Sequence, residues 1–475
     1  MAMTNPTYGA VSAILKTKYP DGTLPQALYQ EFPFASLISK KTDFDGEDYV
    51  VALQNERPQG SSSKFAIAQG ISKGGARGGG GSYKRFRIFR TRHYGILRMD
   101  GETMKAAVRN SGALVDLWNT ETDGISKNEL AELEFQLNSD GTGRRATVGT
   151  PTVAFALVDG WINLETPADA VFFYLGMKIE ISKISAVGAF SKITSGAASD
   201  STGEGLYVDQ IDRRNGRILV ADSAGTPVTL GTTGATSITV TAAVAAGQWI
   251  TRAGDGARPA RIRISGTVYD TSGGTFPVVG LASNGLADGP VVGAEGWIPS
   301  EVLDTSTATF WGLNRTQDPV RLAGQRLDAT GLPLNEALME AEALVSIQGV
   351  GHPDTIMINP LDLQNLKKAL GIDIRYDRVQ SNVAGVSFKA IEYDGMHGPM
   401  KIIANPFQRR YSCKMLQMSA WQLKTLGPAP QMLDWDNNDY LRVYDGDQYE
   451  SRFGHYGQAF CNNPGANIII DNFGR

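Results

Sequence analysis

Four histidines (His93, His352, His397 and His455) and two cysteines (Cys413 and Cys461) are the side chains best suited to metal binding or nucleophilic chemistry. No histidine pair has the H-E-x-x-H spacing that sets two imidazoles on one helix face, so each reads as a satisfied core or surface residue. The cysteines form neither a disulfide framework nor a ligand pair, and read as free buried thiols of a reducing cytoplasm. The stretch 74–82 is glycine-rich but lacks the closing Gly-Lys-Ser/Thr of a phosphate loop. An acidic run holds Asp434, Asp436, Asp439, Asp445, Asp447 and Glu450. An EF-hand starting at Asp434 would need glycine sixth and glutamate twelfth, where Asp439 and Asp445 stand. The run reads as a solvated strand edge, with a loose divalent-ion site between subunits as the alternative. The expectation is a protein with no catalytic, cofactor-binding or metal-binding residues, and not an enzyme.

What remains is chemistry of contact. Residues 46–57 and 83–99 read as two extended strands, and the 23 positions between them at 60–82 hold eight glycines. An isolated two-stranded ribbon is marginal in water, and its glycines lose the most backbone freedom on ordering. Such an arm is expected to lie on another copy of the chain, burying Phe65, Ile67, Ile71, Phe86 and Phe89 there. On the second strand Arg85 and Arg87 alternate with Phe86 and Ile88, then the phase flips so that Phe89 alternates with Arg90 and Arg92. A bulge near Ile88 would gather the four arginines on one face. Either they solubilise a strand edge, or they pair with the acidic helix of an adjacent copy through Glu121, Glu129 and Glu132.

The elements that position these residues follow from periodicity. Residues 1–40 carry prolines at 6, 20, 25 and 33 and scattered apolar anchors (Tyr8, Ile14, Leu15, Leu28, Phe32, Phe34, Leu37), an extended docking arm. Helical spacing runs from 111 to 138, with Glu121, Glu129, Glu132 and Glu134 opposite the apolar stripe. Gly124 and the capping box at Ser126 predict a kink near 123–126 or two helices in line. Ser139-Asp-Gly-Thr-Gly143 then stops the helix. Strands are predicted at 152–157 and 171–175. Residues 177–300 read as a separate β module, a small barrel or sandwich, with strands at 177–184, 206–211, 217–220, 237–240, 249–250 and 261–264. Asn215-Gly216 marks a hairpin there, and no lysine occurs between Lys192 and Lys367. After 301 the pattern is mixed α and β. Pro333 opens a helix ended by Gly349, Asn359-Pro360 opens a second ending at Gly371, and strands are expected near 386–392, 400–404, 411–417 and 421–425, with a turn at Tyr393-Asp-Gly395.

Composition bounds the class. The 475 residues exceed one ordinary core and suggest roughly three domains. Apolar content of 42% and charged content of 20% are those of a globular protein. A formal charge of −4, from 45 basic and 49 acidic residues, sets up no field that attracts nucleic acid. No apolar stretch approaches the ~20 residues of a membrane helix, and the N-terminus lacks a signal peptide's basic and apolar regions. The expected compartment is the cytoplasm.

The order of these pieces resembles the major capsid proteins of tailed bacteriophages. The stretches that carry the likeness are 126–143, 352–370 with Ile358-Asn-Pro360, 398–403 leading to Trp421-Gln-Leu423, and 449–467. The last contains Arg452, His455-Tyr-Gly-Gln458 and Asn463-Pro-Gly-Ala-Asn467. The likeness spans 1–176 and 301–475. It implies an α+β chain of the Hong Kong 97-type fold with an inserted all-β domain. The implied division is an N-terminal arm at 1–45, an extended loop at 46–99, and a peripheral domain at 100–176 with its spine helix at 110–140. The insertion follows at 177–300, a return to the peripheral domain at 301–332, an axial domain at 333–430 and closing peripheral strands at 431–475. The implied function is self-assembly, through hexamers and pentamers, into an icosahedral shell around double-stranded DNA that is enclosed without sequence-specific binding. No membrane is involved. Scaffolding, portal and decoration proteins are the implied partners, and assembly is in the host bacterial cytoplasm. The alternatives are an encapsulin-like compartment, a tail-tube or other virion protein, and an enzyme with a β accessory domain.

Overall fold

The computed structural model describes residues 32–46, 48–54, 60–73, 83–102, 117–149, 161–184, 190–193, 206–221, 249–253, 255, 263–264, 267–268, 290–299, 309–311, 313–349, 351–370, 376–380, 387–433, 441–444 and 446–474. The expected leader before 32, the glycine tip at 74–82, the strands at 152–157 and 237–240 and most of the acidic run lie outside them.

Leu117–Asn138 is one continuous helix of 22 residues, uninterrupted at Gly124 and Ser126. The chain leaves it through Gly141 (φ 83°) and Gly143 (φ 72°), the left-handed stop that the Asp-Gly-Thr-Gly string predicts. From Ala131 to Ser139 every side chain is buried, the acidic ones included, because strands and loops cover the helix on all sides.

Beneath it lies a sheet of six described strands. Gln448–Cys461 is its spine: it pairs antiparallel with Thr91–Asp100 over ten registered positions, and with Trp421–Thr425, which in turn takes Ser39–Lys41 in parallel. Side chains of Thr91–Asp100 alternate strictly, with His93, Gly95, Leu97 and Met99 inward and Arg92, Tyr94, Ile96 and Arg98 outward. Its core is aromatic: Trp297 meets Phe86, Phe310 and Phe460 edge-on, and Phe34 meets Trp421.

A second sheet of seven described strands mixes parallel and antiparallel pairs. Helices Leu334–Gln348 and Pro360–Leu370 cover it, burying Leu338, Ala341, Val345, Leu363 and Leu366 against Ile356, Ile358, Met415 and Ile470. The local signals hold here. Gly349 closes the first helix in the left-handed region (φ 59°), and Asn359 Oδ1 accepts the Leu361 N–H at 3.0 Å to open the second. The expected turn moves from 393–395 to Met396-His397, since Gly395 pairs with Gly398. The strand expected near 421–425 belongs to the first sheet, whereas Ile468–Asp471 and Gln325–Asp328 join the second, so the divisions expected at 430 and at 332 are both crossed. Cys413 and Cys461 are buried and free.

The β module begins earlier than 177. Its strands run in the order Arg144–Thr147, Trp249–Arg252, Lys178–Ile184, Leu206–Asp212, Arg217–Ala221 and Trp161–Asn163. The bridge between Val148 and Leu164 joins the first of these to the last and closes a small barrel. Ile162, Ile179, Ile181, Val208, Ile218 and Ile250 fill it. The Asn215-Gly216 hairpin forms as predicted, with Gly216 at φ 66°. Of the segment 171–175, expected as a strand, Val171 and Phe172 end a 3-10 helix, Pro167–Phe172, and 173–175 lie in no strand; Ala170 and Phe173 pack into the barrel's core. Val291, Val292, Ala294, Trp297 and Ile298 belong to the core around the long helix, not to the barrel.

Candidate functional site

The ribbon is where the residues expected to make contacts converge. Asp48–Gln54 pairs antiparallel with Tyr83–Phe89 over seven positions. One face, made by Phe86, Ile88, Tyr49, Val51 and Leu53, packs on the chain's own core, and the Arg87 N–H donates to the Trp311 carbonyl at 2.8 Å. Phe86 and Ile88 are fully buried and Phe89 lies against Trp311 with ring centroids 6.2 Å apart. Phe86 and Phe89 are therefore anchors of the arm's base and present nothing to a neighbour, contrary to expectation.

The far end is different. Phe65–Lys73, in the glycine-rich stretch expected between the two strands, is a helix of nine residues. Its apolar side chains find no cover: Phe65 is 81% exposed, Ile67 51% and Ile71 38%. Tyr83 and Val50 add exposed apolar surface on the ribbon itself. Against the expectation that the sequence holds no such motif, Gly70-Ile-Ser-Lys-Gly74 has the G-x-S-x-G spacing of a nucleophile elbow. Ser72 lies within this helix and not on a strand-to-helix turn, so the elbow's geometry is missing.

The four arginines do not form one strip. The extended run splits at Arg90: the part before it pairs within the ribbon, and the part after it joins the six-stranded sheet. Arg85 and Arg87 are exposed on the ribbon, where Arg87 pairs with Asp48, while Arg92 projects from the other sheet. Arg90 donates to the Phe44 carbonyl at 2.8 Å and lies over that ring at 5.5 Å.

The acidic helix is no surface for them either. At 100° per residue Glu129 and Glu132 point within about 60° of each other and Glu134 points nearly opposite, so the three could not share one solvent face. Each secures a different part of the chain. Glu129 Oε2 lies 2.8 Å from His93 Nδ1. Glu132 pairs with Arg145, and with Arg252 at 3.2 Å. Glu134 accepts the Phe34 and Ala35 amides at 3.1 and 2.7 Å, and the Asn405 side chain at 2.7 Å. Glu129 and Glu132 are thus internal ties, not intermolecular contacts; of the acidic residues expected there, only Glu121 is partly exposed. The signal for this was their angular spread, which the amphipathic reading ignored.

Burial governs the protonation of this network. It opposes charge on Glu132, but Arg145 and Arg252 outweigh it and lower its pKa. Burial pushes Glu134 up to about 7, against the hydrogen bonds from Ala35 and Phe34. At His93 burial disfavours the proton, yet the bond and charge of Glu129 prevail and its pKa is raised. Burial and the nearby His93 charge push His455 down to about 3.

Elsewhere, a cleft of about 760 Å³ is lined by Arg144, Arg326, Arg409, Asp169, Glu295 and Asp471 among others. Its charges pair internally, Arg326 with Asp471 at 2.7 Å and Arg409 with Asp169 at 3.2 Å, so they serve as stitching between segments. In the acidic run, Glu450 is buried between Arg98 at 2.8 Å and Arg452 at 2.6 Å, and Asp447 is exposed. Among the described residues, no helix is long and apolar enough to cross a membrane.

No family model matches the sequence, and no curated protein does. Among solved structures the chain is similar to the cyanophage A-1(L) capsid asymmetric unit, at 8% identity and a TM-score of 0.46, over 98% of each chain. It is also similar to the capsid of an empty GTA particle, at 9% identity and a TM-score of 0.38, over 99% of this chain and 100% of that one. A likeness to the holo-SrpI encapsulin of Synechococcus elongatus covers 31% of this chain and 53% of that chain, at 13% identity and a TM-score of 0.23.

Proposed function

We propose that this chain is a major capsid protein that self-assembles into the icosahedral shell of a tailed bacteriophage and encloses its double-stranded DNA. One observation carries the reading: the arm is sealed into the body at its base, yet ends in a helix whose Phe65, Ile67 and Ile71 stay in water. Several large apolar side chains left exposed on one short helix mark a candidate interaction site. The arm's own body already uses the opposite end, so the helix gains burial on another molecule. Fully burying such side chains stabilises by about 1.5–3 kcal/mol each. Repeated around a closed shell, contacts of that size add through multivalency into a stable assembly.

The rest of the chain fits the same reading. The sequence motifs at 352–370, 398–403 and 449–467 supply the resemblance to the Hong Kong 97-type fold. The seven-stranded sheet with its two helices corresponds to an axial domain, and the long helix with the six-stranded sheet to a peripheral domain. The small barrel is an insertion that serves shell contacts or host surfaces. Arg85, exposed on the ribbon, and Arg92 on the neighbouring sheet are further contacts between subunits. With a formal charge of −4, the shell contains DNA without gripping it tightly. The role is structural rather than enzymatic, with hexamers and pentamers of this chain as the main partners and scaffolding, portal and decoration proteins as others.

Electron microscopy of the purified protein at high concentration tests this. Closed shells or capsomers are expected. Tubes or stacked rings would mark a tail protein, shells filled with protein cargo an encapsulin-like compartment, and dispersed monomers the failure of the reading.

A further inference from the structure

His455 is fully buried, and neither of its ring nitrogens has a hydrogen-bond partner. Buried polar atoms without partners are rare enough to need a physical cause. The ring stacks on that of His93, with centroids 5.5 Å and planes 21° apart. His93 Nδ1 in turn lies 2.8 Å from Glu129 Oε2, while Glu129 Oε1 is buried without a partner. One ligand atom from each of His93, Glu129 and His455 falls within 4.8 Å of the other two. The backbone leaves room for this convergence: a Cβ on Gly95 would stand 2.5 Å from Glu129 Oε1.

We propose that His93, Glu129 and His455 bind one divalent transition-metal cation of the zinc, cobalt and nickel class, which pins the long helix to the six-stranded sheet. Two imidazole nitrogens and one carboxylate oxygen suit such ions, whereas calcium and magnesium favour oxygen ligands. The ion takes up the idle lone pairs of His455 and Glu129. The ligands come from Thr91–Asp100, Leu117–Asn138 and Gln448–Cys461, distant segments that meet only in the folded chain. Metal binding therefore adds to folding stability. The carboxylate of Glu132, which with Asp255 makes the other acidic group around His93, is engaged by Arg145 and Arg252, whereas Glu129 keeps one oxygen without a partner.

The test uses the full chain, stripped with a chelator and then supplied with Co²⁺ or Zn²⁺. Elemental analysis should find one equivalent of metal per chain, Co²⁺ should show the visible absorption of a low-coordinate nitrogen–oxygen site, and Zn²⁺ should raise the thermal midpoint. His455→Gln should lose the metal and the shift. The exposed pair His352 and His397, with ring centroids 3.9 Å apart, is the control: His397→Gln should keep both. If His455→Gln does not fold, the unmodified chain decides. Absence of stoichiometric metal together with no thermal shift at saturating Zn²⁺ overturns the proposal, as does loss of the metal in His397→Gln.

Discussion

The carboxylate of Glu134 accepts the backbone N–H of Ala35 at 2.7 Å, joining positions 99 apart in sequence. The same group takes the Phe34 N–H at 3.1 Å and the side chains of Asn138 and Asn405 at 3.2 and 2.7 Å. Four donors converge on two oxygens. The short helix Pro33–Leu37, whose own N-cap residue Phe32 offers no side-chain hydrogen bond, is thereby held to the C-terminal end of the long helix.

Glu134→Gln should break that joint. The new amide sets a donor against donors, and an unsatisfied buried group costs about 1–3 kcal/mol. At pH 8, where the parent carboxylate is ionised, the variant should lose that much in denaturant unfolding, and limited proteolysis should cut near residue 38 faster than in the parent. An unchanged cleavage rate would show that Phe34 packing on Trp421 suffices.

Glu134 also sets a pH trend. Its carboxyl titrates near 4.5 when unfolded and is pushed up to about 7 by burial when folded. Its contribution is fully present below pH 4.5 and is lost as pH rises through about 7. Unfolding free energy measured between pH 4.5 and 8 should fall over that window, and Glu134→Gln should flatten the fall.

Local chemistry was legible in the sequence wherever a few adjacent residues decide the outcome. Asn359-Pro360, Gly349, Asn215-Gly216 and the Asp-Gly-Thr-Gly string each fix a turn or a cap through their own backbone preferences. Long-range choices were not. Residues 83–99 read as one extended run, yet Arg90 divides them between two sheets, because partners some 350 positions downstream compete for the second half. The same holds for Arg144–Thr147, drawn into the barrel by Trp249–Arg252. The glutamates of the long helix misled for a related reason: charge reads as solvent-facing until the buried arginine, histidine and amide partners are in view. At the candidate contact site the exposed tip residues were legible as apolar side chains on an arm. The anchoring residues Phe86 and Phe89 were not separable from them by type.

Glu295 and Lys414 give an asymmetric pair of variants. Lys414 Nζ is fully buried, 3.3 Å from Glu295 Oε1, and Glu295 is 12% exposed with Arg409, Arg326 and Arg144 also near. Glu295→Gln leaves a buried ammonium without a counter-charge, a loss of about 3–5 kcal/mol. Lys414→Met removes the buried charge and leaves Glu295 among arginines, so it should cost less. Burial opposes the ionised Glu295, but Lys414 and the arginines hold its pKa at about 2. Its stabilisation is present above pH 4.5 and is lost as pH falls through about 2. Acid unfolding followed by circular dichroism should show a shallower slope below pH 4.5 in Glu295→Gln.

Gly143 joins the long helix to the barrel at φ 72°, and a Cβ there would stand 2.3 Å from the Asp255 carbonyl oxygen. Gly143→Ala should therefore destabilise by more than the ~1 kcal/mol of a left-handed alanine alone. Both chain segments must shift, since the obstacle is backbone and not a flexible side chain. Gly331, also left-handed at φ 82° but with nothing within 4 Å, is the comparison. Gly331→Ala should show the conformational cost only, so a thermal midpoint for Gly143→Ala no lower than that of Gly331→Ala would contradict the close approach.

The tip helix separates folding from assembly. Phe65 and Ile67 are 81% and 51% exposed, so replacing both with serine removes no intramolecular packing of note. The double variant should unfold within about 0.5 kcal/mol of the parent, as surface substitutions do. Its association should suffer instead. Sedimentation at high concentration should show the parent forming large particles and the variant remaining as small species, whereas Phe86→Ser should fail at folding, because that ring is fully buried against Trp297. Particles of normal size from the Phe65→Ser/Ile67→Ser chain would move the contact away from the arm's tip, and with it the observation on which the capsid reading rests.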